Sequence, residues 1–321
     1  MSLPSVAITA ALALSAAGGA PTAEPGAPMA ELVVEGQHEG PRMWSVRSGE
    51  HTLWILGTIS PLPKKMVWQP DAVEEALRQT QEVVPAWPAY GIGANPITAL
   101  RVYIAWRHLQ KPPDNLPLSQ SLPPPLYARV EALRMRYAPH DHKLEQMRPM
   151  LAARELLTRS FDAAGLAMRN EVQQEVLKLA ARHGVRVHQD KLRIDDPVDV
   201  LKDVSATPLA GEVACLDAVV TLLETDLANM QARARAWALG DVDGLRQIPH
   251  AEDRTACIAA VSSSERVRAL IARAQDNWLI ATEDSLNRNR GTLAVQSMDR
   301  LLGEHGALAT LKQRGYDVEG P

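Results

Sequence analysis

The sequence predicts an α/β fold: a mixed β-sheet built from N- and C-terminal strands, with a large helical insertion between them. Short apolar runs bounded by Gly, Pro or polar residues cluster near the two ends, at Leu53–Leu56, Glu82–Val84, Thr292–Val295 and Tyr316–Val318. Between them, apolar residues recur at spacings of three and four, as in Leu216, Val219, Val220, Leu223, Leu227 and Met230. The chain shows no repeat of fixed period and no sign of a second core, so one folded domain is expected.

The elements follow in order. Met43–Arg47 and His51–Leu56 pair as a hairpin across Ser48-Gly49-Glu50. Gly57–Ser60 turns the chain out, and Pro61 and Pro63 oppose further regular pairing. Asp71–Thr80 reads as an amphipathic helix opening at Pro70-Asp71, and Glu82–Val84 as a buried strand broken at Pro85. Strand, helix and strand in about thirty residues predict a parallel pair joined by a right-handed crossover. Asn95-Pro96 caps and opens a helix to about Gln110, and a proline-rich loop leads to a helix over Leu126–Tyr137. A longer helix is expected over Asp141–Ala164, and another over Asn170–His183 with Gly184 as its stop. Val185–Val187 is a brief strand. Pro197–Leu245 and Ser264–Asn287 read as helical, with Ser262 or Ser264 as cap before Glu265. Strand Thr292–Val295, helix Gly306–Arg314 and strand Tyr316–Val318 close the chain.

At 321 residues the chain can bury a full core, and its net charge of −4 provides no basic field for nucleic acid. Val6–Ala17 followed by Gly18-Gly19-Ala20 matches the apolar region and cleavage zone of a secretory signal peptide. No Lys or Arg precedes Arg42, so the usual positive start is missing and an alanine-rich leader is the alternative. The run is too short to be a transmembrane segment. This divides the chain into a signal peptide (1–23), a flexible linker (24–42) and a folded domain (43–321), with a periplasmic or secreted location. Cys215 and Cys257 suit one disulfide in an exported chain, two free core thiols being the alternative. Neither has a Cys or His at metal-ligand spacing.

Motifs from both ends point the same way. "LWILGTIS" and "LLGEHGALATLKQRGYDVE" resemble the TraB/GumN (pheromone-shutdown, TIKI-like) family. There an early strand ends in Gly-Thr-x-His and a late one in Gly-x-x-His-Leu-x-Gly. "MRPMLAARELL" (147–157), "AWALGDVDGLRQI" (236–248) and "NRN" (287–289) are similar to further family segments, in the same order. The resemblance implies a metal-dependent hydrolase, peptidases included. Its site would comprise the two motif histidines, a glutamate ending the second strand, and an Arg-Asn pair. Such ligands hold a divalent metal whose bound water becomes a nucleophile near neutral pH.

This chain departs from that pattern. Ser60 stands at the first histidine position, and Val84-Pro85 where the glutamate is due. The second motif falls on Gln296-Ser297-Met298-Asp299 or on Ser297-Met298-Asp299-Arg300, neither with a histidine. Arg288 and Asn289 carry over by identity. The resemblance then implies a remnant pocket of Gly57, Ser60, Arg288, Asn289, Ser297, Asp299 and Arg300 at the carboxyl ends of the strands. No residue is assigned as catalytic, and no metal or other cofactor is expected. The first functional reading is an inactive exported relative, kept as a binding or interaction module for a small polar ligand or an envelope protein. The alternatives are a hydrolase rewired around Ser60, Arg288, Asn289 and Asp299, and a structural envelope protein.

Other constellations carry less. His140-Asp141-His142 reads as a helix entry capped by Asp141. His51 reads as a solvated edge residue, and Gln189 or Asp190 after His188 as a possible lining of the old pocket. Ser60 lacks a nucleophile elbow. Trp68, Trp87 and Trp106 read as core packing in preference to an aromatic binding surface.

Overall fold

The first hairpin is closed by Gly49 and Glu50. Ser48 pairs with His51, and Gly49 takes the positive φ (60°) that a two-residue turn requires. The computed structural model describes residues 40–86, 89–92, 95–167, 170–189, 191–248 and 253–320. In chain order its first elements are β1 (Met43–Ser48), β2 (His51–Thr58), β3 (Leu62–Pro63), α1 (Asp71–Arg78), β4 (Glu82–Val84), β5 (Ala89–Ile92) and α2 (Pro96–Leu109). Then come α3 (Leu118–Ser121), α4 (Pro124–Tyr137), α5 (Pro149–Ala163), β6 (Leu166–Ala167), α6 (Glu171–Arg182), β7 (Arg186–Val187) and β8 (Lys191–Ile194). The helices α7 (Pro197–Ser205), α8 (Leu209–Thr225), α9 (Leu227–Ala238), α10 (Val242–Gln247), α11 (Asp253–Val261) and α12 (Glu265–Arg288) complete the insertion. The chain ends in β9 (Gly291–Ser297), α13 (Met298–Leu301), α14 (Ala307–Gln313) and β10 (Asp317–Glu319).

Six strands form one mixed sheet in the order β10-β1-β2-β9-β4-β7. The β10, β1 and β2 strands pair antiparallel, whereas β2, β9, β4 and β7 run parallel. The sheet is therefore built from both ends of the chain, as the sequence predicts. One detail differs: β2 and β4 do not touch, because β9 lies between them. Gly291–Gln296 of β9 are all buried, as suits a central parallel strand covered on both faces. Pro63 also departs from expectation, since β3 pairs antiparallel with β6 through Leu62↔Ala167 and Pro63↔Leu166.

Among the described residues two buried clusters form, not the single core expected. Around the sheet, Leu53, Ile55, Val83, Leu293 and Val295 pack with Leu77, Val176, Leu179, Trp237 and Trp278 from the covering helices. Trp68 joins this cluster edge-on to Trp237, at 5.7 Å between ring centroids. A second cluster, drawn mostly from helices, gathers Leu126, Val130, Leu156, Phe161, Leu216, Val220 and Leu223. It includes the Cys215–Cys257 disulfide, which ties α8 to α11 with the Cα atoms 4.4 Å apart. In its wall Arg148 and Glu212 are paired and almost fully buried, and the Arg148 guanidinium also donates to the Ser205 carbonyl at 3.0 Å.

The insertion is more broken than its periodicity indicates. The helix expected from Asp141 starts instead at Pro149, because the residue before a proline is driven to extended backbone, as Arg148 is (ψ 150°). Asp141 accepts a hydrogen bond from the Lys143 amide at 3.0 Å and forms a turn, not a helix cap. The Pro197–Leu245 stretch divides into α7, α8, α9 and α10, with breaks at Pro208, Asp226 and Gly240 (φ 69°). Asn95, Asn170 and Ser264 cap their helices through their side chains; Asn95 is the expected cap, Ser264 is one of two expected caps, and the Asn170 cap is not anticipated. Among the described residues no single helix is long and apolar enough to cross a membrane.

Candidate functional site

Because β2 and β9 run parallel in register from Thr52↔Gly291 to Thr58↔Ser297, the sheet has distinct amino and carboxyl ends. The remnant residues divide between them. Gly57, Ser60, Ser297, Asp299 and Arg300 lie at or just beyond the carboxyl ends of β2 and β9. Arg288 and Asn289 end α12 and precede β9, so the full strand separates them from Ser297. Seven strand residues span about 20 Å. The sequence-derived pocket of seven residues is therefore not one pocket, and its Arg-Asn pair belongs to the opposite end of the sheet.

At the carboxyl end, Gly57 and Ser297 are held by specific contacts. Gly57 is fully packed: a Cβ there would meet Met298 Sδ at 2.3 Å and the Trp44 ring at 2.8 Å. Its carbonyl accepts from Trp237 Nε1 at 2.8 Å, so this glycine serves close packing and does not line open space. Thr58 Oγ1 accepts from Asn170 Nδ2 (2.9 Å) and donates to the Gln296 carbonyl (3.3 Å). Asn170 also caps α6 by accepting from the Gln173 amide (3.0 Å), while Gln173 Oε1 accepts from the Ala86 amide (2.8 Å). The first turn of α6 is thus joined to the ends of both β2 and β4. Gln296 Oε1 accepts from the Ser297 amide at 2.9 Å. Ser60 and Asp299 are exposed, and Ser297 and Arg300 half-buried. On α9, the half-buried Arg233 donates to the carbonyls of Leu245 and Ile248. Burial pulls its pKa below the ordinary arginine value, against the opposing charges of Asp299 and Asp226.

This donor set does not fit a divalent metal. It comprises hydroxyls from Thr58, Ser60 and Ser297, amides from Asn170, Gln173 and Gln296, and one carboxylate, Asp299, under the field of Arg233. Imidazoles and paired carboxylates are what such ions require. Among the described residues no three His, Cys, Asp or Glu side chains gather into a metal-binding group. Nor does a histidine hydrogen-bond Ser60 among the described residues, so its hydroxyl has no visible base.

The amino end holds a second polar network that sequence reading missed. Glu82, buried at the start of β4, accepts from Asn289 Nδ2 (3.0 Å) and Arg288 (3.1 Å), and its other oxygen faces His188 Nδ1 at 3.2 Å. Thr292 and the Asn289 carbonyl extend the network, the latter to His51 Nδ1 at 2.7 Å. Burial works to raise the Glu82 pKa, but hydrogen bonds from Asn289, Ser285 and His188 outweigh it and leave the carboxyl below the usual glutamate value. His51 is accordingly a half-buried network member, not a solvated edge residue. His188 faces Glu82, Gln189 is exposed, and Asp190 lies outside the described residues. Beside this end a groove of about 560 Å³ is lined by Arg78, Thr80, Gln81, His183 and Arg186. The one signal available in the sequence was a glutamate opening an otherwise apolar strand. Its partners stand 106 to 207 residues away in the chain.

His140 and His142 are exposed on a turn, and Trp87 lies outside the described residues. Trp106 is exposed on α2, contrary to its reading as core.

No curated protein and no solved structure matches the chain. The family model of TraB/PrgY/gumN matches residues 42–320, most of the chain, and agrees with the motifs found towards both ends of the sequence. The chain belongs to the TraB/PrgY/gumN family.

Proposed function

We propose that this chain is an exported member of its family that has exchanged metal-dependent hydrolysis for the binding of a small polar anion at the carboxyl end of its sheet. One observation carries the reading. Where β2, β4 and β9 end, the side chains are Ser60, Pro85, Ser297, Asp299 and Arg300, with no imidazole and a single carboxylate. Hydroxyl and amide donors beside the guanidinium groups of Arg233 and Arg300 suit a carboxylate or phosphate. Location at the carboxyl ends of parallel strands is the usual place for a ligand in an α/β sheet. The disulfide supports export, since such bridges persist in oxidising compartments.

A rewired hydrolase around Ser60 and Asp299 would have to work without Arg288 and Asn289, which are engaged with Glu82 at the other end of the sheet. The test is calorimetric titration with inorganic phosphate and a panel of small carboxylates, alongside a hydrolase screen in the presence of Mn²⁺, Co²⁺ or Zn²⁺. Binding of at least one anion is expected, weakened about tenfold by Ser60→Ala or Arg300→Gln. Metal-dependent turnover by the wild-type chain would overturn the reading.

A further inference from the structure

The α2 helix carries an apolar face that nothing in the described structure covers. Of the eleven large hydrophobic residues exposed among the described residues, five lie on this one helix. They are Ile97, Leu100, Tyr103, Ile104 and Trp106, with exposures from 37% at Trp106 to 72% at Ile97. At about 100° per residue they occupy one half of the helix circumference. The opposite half, with Ala105 and Leu109 buried, packs against α7.

The charge on this helix has one sign. From Asn95 to Lys111 the chain has Arg101, Arg107 and Lys111, together with His108, and no Asp or Glu. Arg107 falls within the apolar arc, and Arg101 and His108 flank its Ile97/Ile104 border. Asp199 on α7 lies in the field of Arg101, but its carboxylate is already paired with Lys202 at 2.9 Å. None of Arg101, Arg107 and Lys111 forms an ion pair among the described residues.

We infer that α2 is an interfacial helix that docks the protein on an anionic phospholipid surface. The apolar arc enters the boundary of the acyl chains, Tyr103 and Trp106 sit at headgroup depth, and the cations engage lipid phosphates. Charge complementarity favours this occupant over a second copy of the chain, which would bring Arg107 against Arg107 or its basic neighbours. Size points the same way. A 14-residue helix is about 21 Å long, and one such face offers far less than the roughly 800 Å² per partner of a stable dimer. The inference is independent of the site at the end of the sheet.

The experiment is sedimentation of the full chain with vesicles of phosphatidylcholine, with and without phosphatidylglycerol, at low and high salt. Two variants accompany it: Ile97→Ser/Leu100→Ser/Ile104→Ser, and Arg107→Glu/Lys111→Glu. All five positions are exposed, so both variants should keep the wild-type circular dichroism. The wild type should bind only the phosphatidylglycerol vesicles, and high salt should release it. Both variants should bind at least about tenfold more weakly. Equal binding by wild type and variants would place the lipid contact elsewhere in the chain and overturn the inference. Absence of vesicle binding would overturn it equally. So would a dimer in light scattering that the apolar variant abolishes, which would identify a second copy as the occupant.

Discussion

Asn289 donates its side-chain amide to the buried carboxylate of Glu82 at 3.0 Å, across 207 residues of chain. The contact fastens the end of α12 to the first residue of β4 while β9 passes between β2 and β4. Together with Arg288 and His188 it ties the amino end of the sheet into one polar network.

The sign of the Glu82 shift gives a prediction about acid. Its folded-state pKa lies below the ordinary glutamate value, so its stabilisation is present above the unfolded value and is lost as pH falls through the folded one. Glu82→Gln should be less stable than wild type at neutral pH, and the difference should shrink towards about pH 3. Urea midpoints at the two pH values measure it. A difference that stays constant or grows in acid contradicts the network as described.

Arg148 and Glu212 are paired where neither reaches water. Removing one partner strands the other, so Glu212→Ala should cost about 3–5 kcal/mol. Replacing both, as in Arg148→Met with Glu212→Leu, should cost less than the single change, because no charge is left buried. Denaturant titration of the three proteins decides the order.

At Gly57 any side chain meets Met298 and Trp44. Gly57→Ala should therefore destabilise by about 1–3 kcal/mol, and its cost should be smaller when measured in a Met298→Ala background. A neutral Gly57→Ala would show that the strand end is looser than the packing indicates.

Breaking the Cys215–Cys257 bridge releases a 42-residue separation in the unfolded chain, at a cost of about 3–4 kcal/mol. Unreduced, denatured protein should show no reactive thiol, and reduced protein should show two. Two reactive thiols before reduction contradict the bridge.

The sequence carried the fold further than it carried the site, for reasons visible in single residues. Helix ends set by local chemistry were legible: Asn95 and Ser264 cap within three residues of themselves. Strand membership at both chain ends followed from apolar runs. The position of β9 between β2 and β4 could not be read, because parallel register depends on contacts more than two hundred residues apart. The family resemblance alone made Arg288 and Asn289 appear to belong with Ser60, yet the length of β9 separates them. Glu82 was overlooked because its strand was searched at its end, whereas its partners meet it at the start. The exposure of α2 was hidden by the ordinary apolar content of a helix whose two faces are both hydrophobic.

We propose that the carboxyl end of the sheet holds no divalent metal and binds a small polar anion through hydroxyl, amide and guanidinium groups. Titration of the purified full chain with Mn²⁺, Co²⁺ and Zn²⁺, with elemental analysis before and after dialysis, tests it most directly. The predicted result is no stoichiometric metal that depends on Ser60 or Asp299. About one metal ion per chain, lost in Asp299→Ala or Ser60→Ala while the fold is retained, would contradict the account.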